Sequence, residues 1–369
     1  MIPSVSICIP TYNESKNIEK LILRLLNTKY SNLHKIIIAD GNSTDGTQNI
    51  VSLIAKNNSK VTLINNPRKI QSSALNLILK DSTSDVIMRA DAHSEYADDY
   101  IENCIEALLR SESFNAGGAQ RFVAKSTFQA GVALASKSLL GSGGAKYRNP
   151  NYDGYAETVY LGCFWRDKLL QVGGWDESLV VNEDSELNVR LNNLYQQTHR
   201  ESDGLSLAEE TKNINKRAVY VSSKIKVQYY PRDTWKSLLI QYFKYGRGCY
   251  ITANKHDNTV LPRAKIPFVV LSLLIFICII DLIFPQLNLP GLESVPFLLI
   301  LTFLEGCRTT WQHRQLFYDE IWKGNKEDRP MLFILAIYSS LAILTMPLAH
   351  FAGYAYQLFS TKLLMKPNW

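Results

Sequence analysis

The sequence predicts an α/β domain on a mostly parallel, doubly wound sheet, followed by a C-terminal membrane region. Three observations predict it. Strand-like and helix-like stretches alternate from residue 5 to residue 89, polar clusters directly follow three of the strands, and the composition turns apolar from Ile266 onward.

The first strand is Val5 to Ile9, apolar and β-branched, stopped by Pro10-Thr11-Tyr12-Asn13-Glu14 and followed by a helix from about Lys16 to Leu26. Lys35-Ile36-Ile37-Ile38-Ala39 is the second, closed by Asp40-Gly41-Asn42-Ser43-Thr44-Asp45-Gly46 before a second helix. A third strand at Val61 to Ile64, a helix around Ser72 to Leu79 and a fourth strand at Asp85-Val86-Ile87-Met88-Arg89 complete the alternation. Ligands of such sheets bind beyond the carboxyl ends of the strands, and the clusters Pro10 to Glu14, Asp40 to Asp45 and Asp91 to Glu95 converge on that rim. Thr198 to Lys216 is polar and lacks core-helix periodicity apart from a short Leu205 to Ala208 stretch, which marks a surface insertion at 198–216.

Residues 251–265 read as an interfacial linker and 266–369 as a membrane region with about three spans, at 266–284, 291–307 and 331–359. Ile266 to Phe284 carries only Asp281 as a charge and is long enough for a hydrocarbon core of about 30 Å. The second span needs its flanks to cross, and the third, with Pro347 and His350 inside, is either one kinked span or a span plus a re-entrant piece. Arg308, Arg314, Lys323, Lys326 and Arg329 load one loop with positive charge, and Pro285 to Glu293 has none. The positive-inside rule then makes that loop cytoplasmic, together with the domain 1–250: a multi-pass protein of the cell (inner) membrane with its N-terminal domain in the cytoplasm. Met1 to Pro10 lacks the basic and apolar regions of a signal peptide.

The chain has 369 residues, 46% hydrophobic and 20% charged, with net charge +6 and no basic tract, which disfavours nucleic acid and leaves nucleotides or an anionic membrane face as anionic partners. Six cysteines lie far apart without a Cys-x-x-Cys pair, so a disulfide framework or zinc site is not expected and a reducing compartment fits.

Asn182-Glu183-Asp184-Ser185-Glu186-Leu187, just after Gly173-Gly174-Trp175-Asp176-Glu177, is the most informative stretch. Asn182 reads as an N-cap, with acidic residues in the first turn where the helix dipole favours them. Such a run is the mark of a capped surface helix, or it aims one carboxylate into a cleft as a base; Asp184 is the candidate. Asp91-Ala92-His93 at a strand end offers oxygen and imidazole one residue apart, suited to Mn²⁺ or Mg²⁺ on a diphosphate, or else is a structural turn. Asp40 can accept hydrogen bonds from a nucleotide base or ribose, while Asp-Gly-Asn-Ser is also turn chemistry. Gly141-Ser142-Gly143-Gly144 before Lys146 and Arg148 is a flap meeting phosphate or a plain linker. Gln241-Tyr242-Phe243-Lys244-Tyr245-Gly246-Arg247-Gly248 can stack on a sugar and meet a pyrophosphate, or form an interfacial helix with Trp235, Tyr242 and Tyr245 as its aromatics.

Taken in order and spacing, Pro10-Thr11-Tyr12-Asn13-Glu14, Asp40-Gly41-x-Ser43-x-Asp45-Gly46-Thr47, Arg89-Ala90-Asp91-Ala92-His93, Gly173-Gly174-Trp175-Asp176-Glu177 and Glu183-Asp184 resemble the inverting family 2 glycosyltransferases of GT-A fold. The likeness covers about residues 4 to 250 and is greatest for the succinoglycan-type bacterial exopolysaccharide branch, through Leu140-Gly141-Ser142-Gly143-Gly144, Tyr147-Arg148 and Gln241 to Gly246. The resemblance implies that Pro10, Tyr12, Glu14, Asp40 and Asp91 line the nucleotide pocket, that Asp91 and His93 stand at the metal-binding D-x-D, and that Asp184 is the catalytic base. It also assigns Glu183, Gln241, Lys244, Tyr245 and Arg247 to acceptor and diphosphate. His93 replaces the second Asp of the D-x-D, and Lys244-Tyr245 stand where processive synthases carry Arg-Trp.

The activity implied is transfer of a sugar, with inversion, from a nucleotide diphosphate sugar to a hydroxyl of a lipid-linked saccharide in exopolysaccharide or cell-surface glycan synthesis, aided by a divalent cation and possible glycan-assembly partners. Two helices and a kinked third are few for a polymer-conducting channel, so single addition is expected over a processive synthase. The processive synthase is the first alternative; a polyprenyl-phosphate glycosyltransferase and a non-catalytic nucleotide-sensing membrane protein fit less well. A sensor has no need of a base, and a nucleotidyltransferase would need a basic phosphate-activating loop that Thr11 to Lys16 does not supply.

Overall fold

Apolar side chains on both faces of the same strands decide the architecture. In β1 (Val5–Thr11), Val5, Ile7 and Ile9 enter one core and Cys8 the other. In β2 (Leu33–Asp40), Ile36 and Ile38 pack on the first side, Ile37 and Ala39 on the second. A strand with period-two side chains and no polar face must be covered twice, so helices lie on both sides of the sheet.

The computed structural model describes residues 2–203, 217–256, 265–287 and 289–364. It separates into two compact units, one of Met1–Arg121 with Lys146–Tyr229, the other of Phe122–Ala145 with Tyr230–Trp369. The expected domain boundary at 250 therefore differs from the compact division, which falls after Tyr229 and assigns residues 122–145 to the second unit.

In the first unit β1 is followed by α1 (Ile18–Leu26), β2 by α2 (Thr47–Asn57), β3 (Val61–Asn65) by α3 (Gln71–Asp81), and β4 (Val86–Arg89) by β5 (Ser94–Tyr96) and α4 (Tyr100–Ser111). β6 (Asn115–Phe122) follows; after it α5 (Thr127–Ala135) and α6 (Leu139–Ser142) belong to the second unit, and the first resumes with β7 (Gly154–Tyr155), β8 (Tyr160–Trp165), α7 (Arg166–Gln171), α8 (Glu183–Asp203) and β9 (Val219–Tyr229). The sheet order is β3-β2-β1-β4-β8-β6-β9-β5, with β7 on β9. β1, β2, β3 and β4 pair in parallel, as the alternation predicts. β8 pairs antiparallel with β4 and β6, and β9 antiparallel with β5 and β7, so the mostly parallel expectation holds for one half of a mixed sheet.

From β1 the chain moves outward to β2 and β3, then returns to place β4 on the other side of β1. That reversal leaves a crevice at the carboxyl ends of β1 and β4, where Pro10 to Glu14 and Asp91 to Glu95 emerge.

Residues 198–203, the start of the expected surface insertion, complete α8; the remainder, 204–216, lies outside the described residues. The linker expected at 251–265 begins as the end of a helix, Trp235–Lys255, and 257–264 lie outside the described residues.

Two helices of the second unit, Ile266–Ile283 and Leu332–Leu363, are long and apolar enough to cross a membrane. The second runs as one continuous helix of 32 residues with Pro347 inside it. The middle expected span falls on Gly291–Gln312, which is not of this class: its apolar stretch, Val295 to Leu304, is short and bounded by Glu293 on one side and by Glu305 and Arg308 on the other. Helices Trp235–Lys255 and Leu332–Leu363 meet at two glycines. A Cβ on Gly246 would lie 2.0 Å from the His350 carbonyl oxygen, and one on Gly353 1.9 Å from that of Phe243. Small residues allow this backbone approach.

Candidate active site

β4 is buried throughout, and its last residue is a cation. A guanidinium taken out of water requires acidic partners, and Arg89, 7% exposed, finds three. Its Nε donates to Asp91 Oδ1 at 3.1 Å and its Nη2 to Asp91 Oδ2 at 3.3 Å. Nη1 donates to Asp184 Oδ2 and lies 3.6 Å from Glu183 Oε1. Burial by itself would weaken the guanidinium's hold on its proton; Asp184, Asp91 and Glu183 outweigh that and raise its pKa.

Glu183 and Asp184 come from the first turn of α8, whose positive dipole end faces them. Asn182 precedes the helix with φ 69°, a conformation Asn tolerates, and its carbonyl accepts the bond from Glu186 N at 3.0 Å. Asp184 also accepts from Trp175 Nε1 at 3.1 Å, so each of its oxygens has a fixed donor, while the side chain keeps 31% exposure. Glu183 accepts from Gln71 Nε2 at 2.8 Å and is buried. Burial, then the neighbouring charge of Asp184, pushes its carboxyl up to about 7, with Arg89 opposing.

The Asp91-Ala92-His93 segment is a turn and a presenting loop at once. Ser94 N donates to Asp91 O at 3.2 Å, Asp91 N donates to Tyr96 OH at 2.6 Å, and Tyr96 OH donates to Asp91 O at 3.1 Å. From this turn Asp91 faces Arg89, and His93 Nδ1, half-exposed, comes to 3.5 Å from Glu14 Oε1. The loops after β1 and β4 are thus in contact across the crevice. Burial disfavours ionisation of Glu14, but hydrogen bonds from His93 and from Asn17 outweigh it and hold the carboxyl below its ordinary value.

Pro10 lies in β1 opposite Ala39 of β2, and Thr11 opposite Asp40. Asp40 is engaged by its own loop and helix: Ser43 N and Gln48 Nε2 donate to Oδ1 at 2.8 and 2.6 Å, Ser43 Oγ to Oδ2 at 2.6 Å. That is the turn chemistry its sequence context allowed. The Tyr12 ring is 53% exposed, with Lys69 Nζ 5.8 Å from its centroid.

Gln241, Lys244, Tyr245 and Arg247 belong to the second unit, on helix Trp235–Lys255. Gln241 Nε2 donates to Tyr245 OH at 3.1 Å, Lys244 is exposed, and Arg247 Nε donates to Gln357 Oε1 at 2.8 Å while its guanidinium lies 5.2 Å from the Tyr356 ring centroid. The structure therefore gathers Glu14, Asp91, His93, Glu183 and Asp184 in the first unit and gives Gln241, Tyr245 and Arg247 partners within the second.

Sequence reasoning assigns no individual role to Arg89, Trp175, Gln71 or Asn76. A signal existed for Arg89, since a charge closing an apolar strand must be compensated. Nothing local marked Gln71 or Asn76, whose partners are about a hundred residues away in sequence.

Comparison with known proteins gives the same outline. The model of glycosyl transferase family 2 matches residues 6–165. The succinoglycan biosynthesis protein ExoA of Rhizobium meliloti is 34% identical over 266 residues, covering 72% of this chain and 74% of that protein. A dolichyl N-acetyl-alpha-D-glucosaminyl phosphate 3-beta-D-2,3-diacetamido-2,3-dideoxy-beta-D-glucuronosyltransferase of Methanococcus voltae is 24% identical, covering 87% of this chain and 98% of its own. Among solved structures, the mannosyltransferase PcManGT from Pyrobaculum calidifontis, in complex with GDP-Man and Mn²⁺, is similar in fold with a TM-score of 0.51 at 16% identity, covering 98% of this chain and 89% of that one. The chain belongs to glycosyl transferase family 2 and is a nucleotide-sugar-dependent glycosyltransferase of GT-A-like fold.

Proposed function

We propose that this glycosyltransferase moves a sugar with inversion from a nucleoside diphosphate sugar to a hydroxyl of a lipid-linked saccharide, with Asp184 as the base. The observation that carries this reading is the Arg89 guanidinium, which touches Asp91 at the end of β4 and Asp184 at the start of α8. One planar group spanning both keeps them within about the width of a sugar ring, so a donor held at the β4 loop lies within reach of the base.

In the proposed step the acceptor hydroxyl oxygen attacks the anomeric carbon, its proton passes to Asp184, and the bond from that carbon to the diphosphate oxygen breaks in line. The nucleoside diphosphate departs with the bonding electrons. Arg89 compensates the charge of the carboxylate, Trp175 orients it, and the exposed Tyr12 ring offers a face for the nucleobase.

Among the described residues no group of three or more His, Cys, Asp or Glu side chains could hold a metal ion alone. Asp91 and His93 fit a cation of another kind. Mg²⁺ and Mn²⁺ are commonly held by one or two side chains, with water and substrate phosphate completing the sphere. Bound there, it would neutralise charge on the leaving diphosphate. The structural neighbour described with GDP-Man and Mn²⁺ supports this class of donor and ion.

A lipid-linked acceptor is supported by the two apolar helices and by the dolichyl-linked substrate in the name of the Methanococcus voltae relative. The same helices support a membrane location, with the catalytic unit on the cytoplasmic side. The test is to screen UDP-, GDP- and dTDP-sugars for transfer onto an isoprenoid lipid extract by membranes containing the protein. Transfer to the lipid phase is expected; donor hydrolysis with none would remove the acceptor assignment.

A further inference from the structure

The segment carrying the base is laid along one helix, α3. At Gln71 that helix donates to Glu183, the neighbour of the base, and Ser72 Oγ donates to Leu179 O at 3.3 Å. At Asn76 the same side chain grips the Gly173–Glu177 loop three times: Trp175 N donates to Oδ1 at 2.8 Å, and Nδ2 donates to Trp175 O at 2.8 Å and to Glu177 Oε1 at 2.9 Å. Gly174, at φ 72°, permits the approach, for a Cβ there would lie 2.4 Å from Asn76 Oδ1.

These bonds fix the backbone of Trp175, and packing fixes its ring. The side chain is 2% exposed and meets Phe164 edge to face at 5.5 Å. A buried indole held at both ends has one polar atom to satisfy, and its N–H reaches Asp184 Oδ1. Arg89 holds Oδ2, so the two donors together fix the plane of the carboxylate. Arg89 serves three carboxylates, whereas the indole serves this one.

We infer that Trp175, held in place by Asn76, is the positioning residue that aims Asp184 at the acceptor hydroxyl. The inference rests on Asp184 being the base and deepens that assignment. Loss of a fixed aim lets the carboxylate turn about its side-chain torsion. Misplacement of about 1 Å costs on the order of a hundredfold in rate while leaving substrate contacts elsewhere intact.

Trp175→Phe removes the N–H and keeps an aromatic ring against Phe164; Asn76→Ala releases the loop and keeps the indole. Both are compared with wild type and Asp184→Asn for kcat, KM and melting temperature, using the UDP-, GDP- or dTDP-sugar the screen selects. The inference expects Trp175→Phe to lower kcat by about 10- to 100-fold with KM for the donor within about twofold, and Asn76→Ala to follow in the same direction. It is overturned, with the base assignment standing, if Asp184→Asn is inactive while Trp175→Phe turns over at wild-type kcat, or if both positioning variants lose stability with kcat unchanged. Should Asp184→Asn itself retain wild-type turnover, the base assignment fails and takes this inference with it.

Discussion

Arg89 Nη1 donates to Asp184 Oδ2 across 95 residues of sequence, joining the last residue of β4 to the first turn of α8. This contact makes a single site out of two motifs that look independent along the chain. It also concentrates risk: one buried cation balances Asp91, Glu183 and Asp184.

Replacing Arg89 by Met should therefore destabilise the first unit strongly. Breaking a buried charge network by removing one partner costs about 3–5 kcal/mol, because the remaining charges are left uncompensated. Arg89→Lys should recover part of this, limited by one ammonium against a guanidinium that meets three carboxylates. Thermal unfolding in detergent measures both; a Met variant as stable as wild type would contradict the bridging role.

Glu183 gives a pH dependence of definite sign. Its carboxyl is pushed from the ordinary 4.5 up to about 7 by burial and the charge of Asp184. Between these values the folded chain holds a proton that the unfolded chain has released, so this contribution to stability is complete below the unfolded value and lost as pH rises through the folded one. Glu183→Gln keeps an acceptor for Gln71 and removes the ionisation. Its melting temperature relative to wild type should rise between pH 5 and pH 8; an equal difference at both pH values would refute the buried-acid account.

Cation dependence follows from the donor pair at the β4 loop. Transfer should fall in excess EDTA and return on adding Mn²⁺ or Mg²⁺, and Asp91→Asn with His93→Ala should raise the ion concentration needed for half-maximal rate. Turnover undiminished by chelator would remove the cation from the site.

In the second unit, Gly246→Leu should disturb the helix pair Trp235–Lys255 and Leu332–Leu363. A side chain there meets the His350 carbonyl, and overpacking typically costs about 1–3 kcal/mol. Lower melting temperature and yield are expected, and a variant equal to wild type would show that the two helices part easily.

Much of the first unit was legible because β1 to β4 are parallel strands, each a short apolar run closed by a polar loop, with β1, β2 and β4 largely buried and β3 at the sheet edge. The antiparallel half was not. β6 is Asn-Ala-Gly-Gly-Ala-Gln-Arg-Phe, with little apolar or β-branched signal, and it is a strand because of what it pairs with. The acidic pair of α8 was visible as a local motif, and so was Asp91-Ala92-His93. What escaped were the roles of Arg89 as a bridge, of Gln71 and Asn76 on α3, and of the Trp175 indole, whose backbone Asn76 holds. Asp40 shows the reverse case, where local turn chemistry accounts for the contacts both carboxylate oxygens make.

The most direct measurement pairs transfer with donor binding in Asp184→Asn. An asparagine keeps the side-chain shape but cannot take the acceptor proton, so transfer should drop by about 10²- to 10⁴-fold. Nucleotide-sugar affinity, measured calorimetrically on the same preparation, should remain near wild type. Transfer at the wild-type rate with donor bound would contradict Asp184 as the base and, with it, the mechanism proposed for this site.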